Sequence, residues 1–145
     1  KETLVAMDKL ANAVVLTSQG VAFLHAGSEM LRTKNEEHNS YNLPDSINQI
    51  DWNWKVKNKT VVDYYKNLIA LRKAHPALRM KSGDEVREHL SFKKVEDGLI
   101  SYQISNHANG DTWKHILVIY NAREKAVSYP LEGNWQIAVI GDLVN

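Results

Sequence analysis

Cysteine is absent from the 145 residues, so neither a disulfide scaffold nor a thiolate metal site can exist. That absence fixes no compartment, and cytoplasm and exterior both stay open. No charge of one sign dominates: 18 Lys and Arg face 17 Asp and Glu, for a net charge of +1. Without a basic stripe there is no electrostatic footprint of a nucleic-acid partner. Long apolar runs are missing too. The longest, such as Ala13-Val14-Val15-Leu16 and Ile116 to Tyr120, are far too short to cross a bilayer, so no membrane partner is expected. Internal repeats and low-complexity tracts are lacking. The six histidines show no ligand spacing, which argues against zinc, and no residue pattern implies a cofactor. There is no initiator methionine, and Lys1-Glu2-Thr3 does not read as a secretory leader. Both features are compatible with an excised segment.

What is present is ordinary for a globular chain: 43% hydrophobic and 24% charged residues, enough for one compact domain or two small units. The character changes near Pro76. Before it, Leu4, Met7, Leu10, Ala11, Val14 and Val15 form one apolar stripe and predict a helix over 3–18, closed by Gly20. Val21-Ala22-Phe23-Leu24 reads as a short strand buried on both faces, the parallel-sheet pattern. A long polar loop over 27–59 follows, and loops of that length are usually functional. A second helix is predicted from Thr60, with Val61, Tyr64, Tyr65, Leu68, Ile69 and Leu71 inward, ended by His75-Pro76. Beyond it, antiparallel strands are predicted over 88–92, 99–105, 114–120, 126–129 and 135–140. Asp97-Gly98 marks a hairpin turn, and Ser82-Gly83-Asp84 reads as another turn. The spacing suggests a small sandwich with one wet face.

The 27–59 loop carries amides, hydroxyls and aromatic rings, the mixture that pairs with sugar hydroxyls and stacks on pyranose faces. Its string from Val21 to Lys34, VAFLHAGSEMLRTK, resembles the eighth barrel strand and following loop of type I pullulanases, in the α-amylase clan. The string from His38 to Trp52, HNSYNLPDSINQIDW, continues the match. Residues 64–76 resemble that family's last barrel helix, and 105–114 a segment of its C-terminal β domain. At Ser28 the family more often has Glu or Gln.

The resemblance implies a fold: the last αβ and βα units of a (β/α)8 barrel over 1–77, then an incomplete antiparallel β-sandwich domain over 78–145. It implies a parent enzyme that hydrolyses α-1,6-glucosidic bonds in pullulan, amylopectin and limit dextrin by a retaining, two-carboxylate mechanism. The family's three catalytic acids follow the fourth, fifth and seventh strands. They would lie upstream, in the missing N-terminal part of the same enzyme, and this segment alone is expected to be inactive. What remains is one wall of the cleft, with Arg32, Asn39, Asn42, Asp45 and Asn48 on sugar hydroxyls. A pairing of Arg32 with Asp45 would fix the loop, and Tyr41 would stack or pack. Plainer roles are expected for other residues. His25 would be packed and hydrogen-bonded, Glu29 would support the loop, and Trp52 and Trp54 would be core or interdomain plugs. Trp113 and Trp135 would fill the β-domain core, and Lys34-Asn35-Glu36-Glu37 would be a solvated stretch. The alternative is a non-catalytic carbohydrate-binding module, which explains the β half but not the helix–strand–loop–helix half. Two further readings are a domain that only packs against its own chain and an isoamylase-like relative. Cut from its barrel, strand 21–24 would leave exposed apolar surface on the first half.

Overall fold

The computed structural model describes residues 2–141, 143 and 144. Its first half is helical: α1 (Glu2–Thr17), a 3-10 turn (Ser28–Met30), α2 (Asp45–Asn48), α3 (Asn53–Lys57) and α4 (Lys59–Ala74). A second 3-10 turn (Pro76–Arg79) and α5 (Gly83–His89) lead into a sheet in the order β1 (Leu90–Glu96), β2 (Leu99–Ser105), β3 (His115–Asn121). A separate hairpin pairs β4 (Val139–Ile140) with β5 (Leu143–Val144).

Helix α4 forms where its periodicity predicts. Val61, Tyr64, Tyr65, Leu68 and Arg72 are its buried residues, three and four positions apart on one face. His75, the residue before Pro76, leaves helical geometry with φ −109° and ψ 95°, as the proline ring requires. The predicted face of α1 is the wrong one. Leu16, with Val5 and Ala13, packs toward α4, while Leu4 and Met7 are 69% and 60% exposed. The helix is apolar on two sides, and the side carrying Leu4 and Met7 is left exposed. Residues 21–25 form no strand. Ala22 and Leu24 pack against the α1–α4 cluster, but Val21 is 97% and Phe23 84% exposed. No neighbouring strand lies beside this segment among the described residues, so its backbone has no ladder to join. The exposed apolar surface expected on the first half is there.

The sheet is antiparallel throughout, with β1 and β2 joined at Asp97-Gly98, where Gly98 takes φ +66°. The register slips between Phe92 and Lys94, a bulge in β1. Tyr102 and Ile104 are buried with Ala77, Leu78, Met80 and Ala108. The opposite face of β2 is not wet: Leu99 is 1% and Ser101 0% exposed, and Ser101 Oγ lies 2.8 Å from the hydroxyl of Tyr129. Irregular chain after β3 therefore covers the face that alternation assigned to water. The expected turn at Ser82-Gly83-Asp84 is instead a helix start, with Ser82 Oγ accepting from the Glu85 amide at 3.1 Å. The strand expected at 126–129 does not form, and 135–140 shrinks to Val139–Ile140. No second sheet lies against the first among the described residues, so the sandwich is not complete. The β4–β5 hairpin packs on the helical half instead, through Val139 and Val144.

Buried polar groups join the halves. Arg72, 7% exposed, donates to the carbonyls of Leu16, Ser18, Gly20 and Leu78 at 2.6–2.9 Å. Gln19 donates to the Ala77 carbonyl and accepts from the Met80 amide. The Tyr102 hydroxyl donates to the Thr17 carbonyl at 2.7 Å and lies 3.2 Å from the Tyr120 hydroxyl. Burial, and then the neighbouring Tyr120, push the Tyr102 pKa up, so Tyr102 stays a neutral donor. At the end of α4, Asp111 (2% exposed) accepts from the amides of Ala77 and Trp113 and lies 3.0 Å from His75 Nδ1, while Trp113 stacks on the His75 ring.

Candidate functional site

The 27–59 segment is irregular but built. It begins at Gly27, whose φ of +97° suits only glycine at low cost. The Gly27 carbonyl accepts from the amides of Met30 and Arg32, and its own amide donates to Glu29 Oε2 at 3.0 Å. Glu29 thus supports the loop, as expected. The Arg32 stem lies directly on Gly27: a Cβ there would come within 2.7 Å of Arg32 Cβ and Cδ. Asn58 at the start of α4 ties the same turn down by donating to the Met30 carbonyl at 2.8 Å.

Farther along, the Leu43 amide donates to the Ser40 carbonyl at 3.0 Å and closes a four-residue turn. Tyr41 and Asn42 are its two central residues and both stand exposed, Tyr41 at 84%. Both ends of the turn are gripped from one side. Asn48 Nδ2 donates to the carbonyls of Ser40 (2.6 Å) and Leu43 (2.8 Å). Lys34 Nζ donates to Ser40 Oγ (2.5 Å) and to Asn48 Oδ1 (3.3 Å). Ser40, 7% exposed, is the buried foot of this clamp.

The five residues predicted to contact sugar therefore divide. Arg32 and Asn48 face the loop's own backbone: the Arg32 guanidinium donates to the Asn48 carbonyl and, at 3.5 Å, to that of Ala26. Its Nε is buried without a hydrogen-bond partner. Asn39, Asn42 and Asp45 are exposed, with Asp45 opening α2. The Arg32–Asp45 ion pair does not form, because the carbonyl at the end of α2 takes the guanidinium. His25 is exposed rather than packed. Trp52 is 66% exposed rather than plugged into a core. Lys34 is the residue that sequence reasoning missed. Nothing local marks it, since its two partners lie 6 and 14 positions away. Among the described residues no group of three or more metal-binding side chains comes together. An apolar groove of about 520 Å³ runs between α1 and the sheet, past Leu10, Val14, Leu90, Phe92 and Ile100. Its apolar walls do not suit a polyhydroxylated ligand.

A family model described as "Pullulanase, all-beta domain" matches residues 86–142. A curated pullulanase of Bacillus subtilis (strain 168) is 42% identical over 123 residues, which is 85% of this chain and 17% of that protein. The solved pullulanase from Bacillus acidopullulyticus superposes with a TM-score of 0.90 at 44% identity, covering 97% of this chain and 17% of that one. The pullulanase from Paenibacillus barengoltzii, solved in complex with maltohexaose and alpha-cyclodextrin, gives 0.87 at 44% identity over 93% of this chain and 21% of its own. The chain thus spans about a fifth or less of each of these relatives.

Proposed function

The chain belongs to the type I pullulanase family, and we propose that it forms one wall of the substrate cleft in a longer starch-debranching enzyme. In this reading residues 1–77 are the end of the catalytic (β/α)8 barrel and 78–145 the following β domain. Two features of the first half support the barrel. The alternation at 21–24 sends Ala22 and Leu24 toward helices and leaves Val21 and Phe23 bare. A barrel strand has that division, one face on the helical ring and one in the barrel interior. Helix α1 likewise leaves Leu4 and Met7 of its second apolar side exposed. In such a barrel the 27–59 loop would follow the eighth strand, on the side where the active site is built.

The proposed reaction is hydrolysis of α-1,6-glucosidic bonds with retention. One carboxylate attacks the anomeric carbon, and a carboxylic acid about 5 Å away protonates the departing oxygen. Both acids belong to the part of the enzyme outside this segment. Glu29 is tied to the Gly27 amide and Asp45 stands in solvent, so neither is poised as half of such a pair. The local contribution is binding and orientation. Asn39, Asn42 and Asp45 would meet hydroxyls and the Tyr41 ring a pyranose face, while Arg32 and Asn48 hold the loop. The observation that carries this reading is the clamped turn 40–43, which keeps an aromatic ring and an amide exposed on a fixed base. Maltohexaose and alpha-cyclodextrin in the Paenibacillus relative support an α-glucan as the ligand class.

The test is reducing-sugar release from pullulan by the purified 145-residue chain, with maltotriose binding measured alongside. No turnover and weak or no binding is expected. Turnover that survives a contamination control would overturn the assignment of the acids to the rest of the enzyme. Tight maltotriose binding without turnover would instead favour a binding module.

A further inference from the structure

We propose that Lys34 is a positioning residue for α-glucan binding: with Asn48 it locks the turn 40–43 so that the Tyr41 ring and the Asn42 amide are already in place when sugar arrives. This rests on the reading of the 27–59 loop as a sugar-binding wall. The case is geometric. Asn48 donates both amide hydrogens to the two carbonyls that bracket the turn, Ser40 O and Leu43 O. Its Oδ1 accepts from Lys34, and its carbonyl accepts from Arg32. Both of its amide hydrogens are thus committed, and its role is to hold. The orientation of the Asn48 amide is in turn fixed by Lys34. Only with Oδ1 facing the ammonium does Nδ2 face the two carbonyls. Lys34 also grips the buried Ser40 hydroxyl, so one cation bonds the turn and the residue that braces it.

A turn whose tip is an exposed tyrosine gains little from its own packing. Freed from the clamp, Tyr41 and Asn42 would sample many positions, and sugar binding would have to order them again. Neither group touched by Lys34 belongs to the reacting bond, so its loss should weaken ground-state and transition-state binding alike. That raises KM and leaves kcat nearly unchanged.

The experiment uses the full-length enzyme that contains this segment, with kcat and KM on pullulan and the Kd of maltohexaose. Lys34→Met keeps the aliphatic stem and removes the donors. It should raise KM and Kd by about five- to thirtyfold, with kcat within about twofold, the scale of one charge-assisted contact. Lys34→Arg, which keeps charge and donors, should recover part of that loss. The decisive arm repeats Lys34→Met in a Tyr41→Ala/Asn42→Ala background, where the clamp has nothing left to present. There the further loss should fall below about twofold, the non-additivity expected of coupled residues. An equal loss in both backgrounds would show that Lys34 acts elsewhere, and would overturn the proposal. So would an unchanged KM in Lys34→Met. If Tyr41→Ala/Asn42→Ala alone leaves KM and Kd unchanged, the sugar-wall reading itself fails, and the positioning role fails with it.

Discussion

Replacing Asp111 with Asn keeps its shape and removes its charge. The carboxylate is buried, accepts from the amides of Ala77 (3.0 Å) and Trp113 (2.8 Å), and lies 3.0 Å from His75 Nδ1. Burial alone would raise its pKa. The hydrogen bonds with His75 and from the two amides outweigh burial and hold it below the usual carboxylate range. An asparagine must turn its NH2 toward at least one of these groups, leaving a buried donor unsatisfied. At about 1–3 kcal/mol for such a group, plus the weaker bonds that remain, the local loss should be about 2–4 kcal/mol. Hydrogen exchange in the full-length protein reads this without requiring two-state unfolding. The Ala77 and Trp113 amides should exchange about 30- to 1,000-fold faster in Asp111→Asn, at about 1.4 kcal/mol per tenfold. The pH dependence has a definite sign. A carboxyl whose folded pKa is depressed contributes stability that is complete above about pH 5 and lost as pH falls through the folded value. Wild-type protection at Ala77 and Trp113 should therefore decline below the usual carboxylate range, and the variant should lack that decline. A change under threefold in protection, or an identical acid limb in both proteins, would refute the reasoning.

Two further predictions concern the scaffold and the loop. Arg72→Met leaves four carbonyls, those of Leu16, Ser18, Gly20 and Leu78, without their shared donor. At about 1–3 kcal/mol for a buried acceptor left unsatisfied, the total should be about 3–5 kcal/mol, read as a sharply lowered Tm or loss of soluble protein, and a Tm within a degree of wild type would count against the clamp. Gly27→Ala forces a methyl against the Arg32 stem in a left-handed backbone. A cost of at least about 1–3 kcal/mol is expected, with faster proteolysis between Gly27 and Asn48 as the readout, and unchanged cleavage would mean that Arg32 can move aside.

The elements legible in the sequence were those whose signal is local. The α4 periodicity, its stop at His75-Pro76 and the Asp97-Gly98 hairpin each depend on neighbours within a few residues. The helix at Gly83–His89 was missed because Ser82-Gly83-Asp84 carries turn residues that also make an N-cap, and the capping bond to Glu85 decides between the two. The dry second face of the sheet could not be read from alternation, since Tyr129 covers Ser101 from 28 positions away. At the candidate site the loop and its exposed amides were legible, while the division of labour was not. Arg32 and Asn48 look in sequence like ligands for a polar substrate. Only the three-dimensional turn shows that carbonyls of their own loop take their donors first.

Helix α1 shows why such misreadings can still be informative. The stripe Leu4–Met7–Val14 satisfies helical spacing and so predicts the buried face, yet Val5, Ala13 and Leu16 are what meet α4. A surface helix of a small domain needs one apolar face, and two such faces are what the proposed barrel end, with a packing partner on each side, would use. At roughly 25 cal/mol per Å² of apolar surface, the exposed Leu4, Met7, Val21 and Phe23 each leave area unburied that the proposed barrel would cover. The same logic explains why 21–24, written as a strand buried on both faces, finds no ladder here. Its pattern specifies neighbours on two sides, and only the side of Ala22 and Leu24 has them. In the proposed barrel those missing neighbours lie in structure beyond this segment.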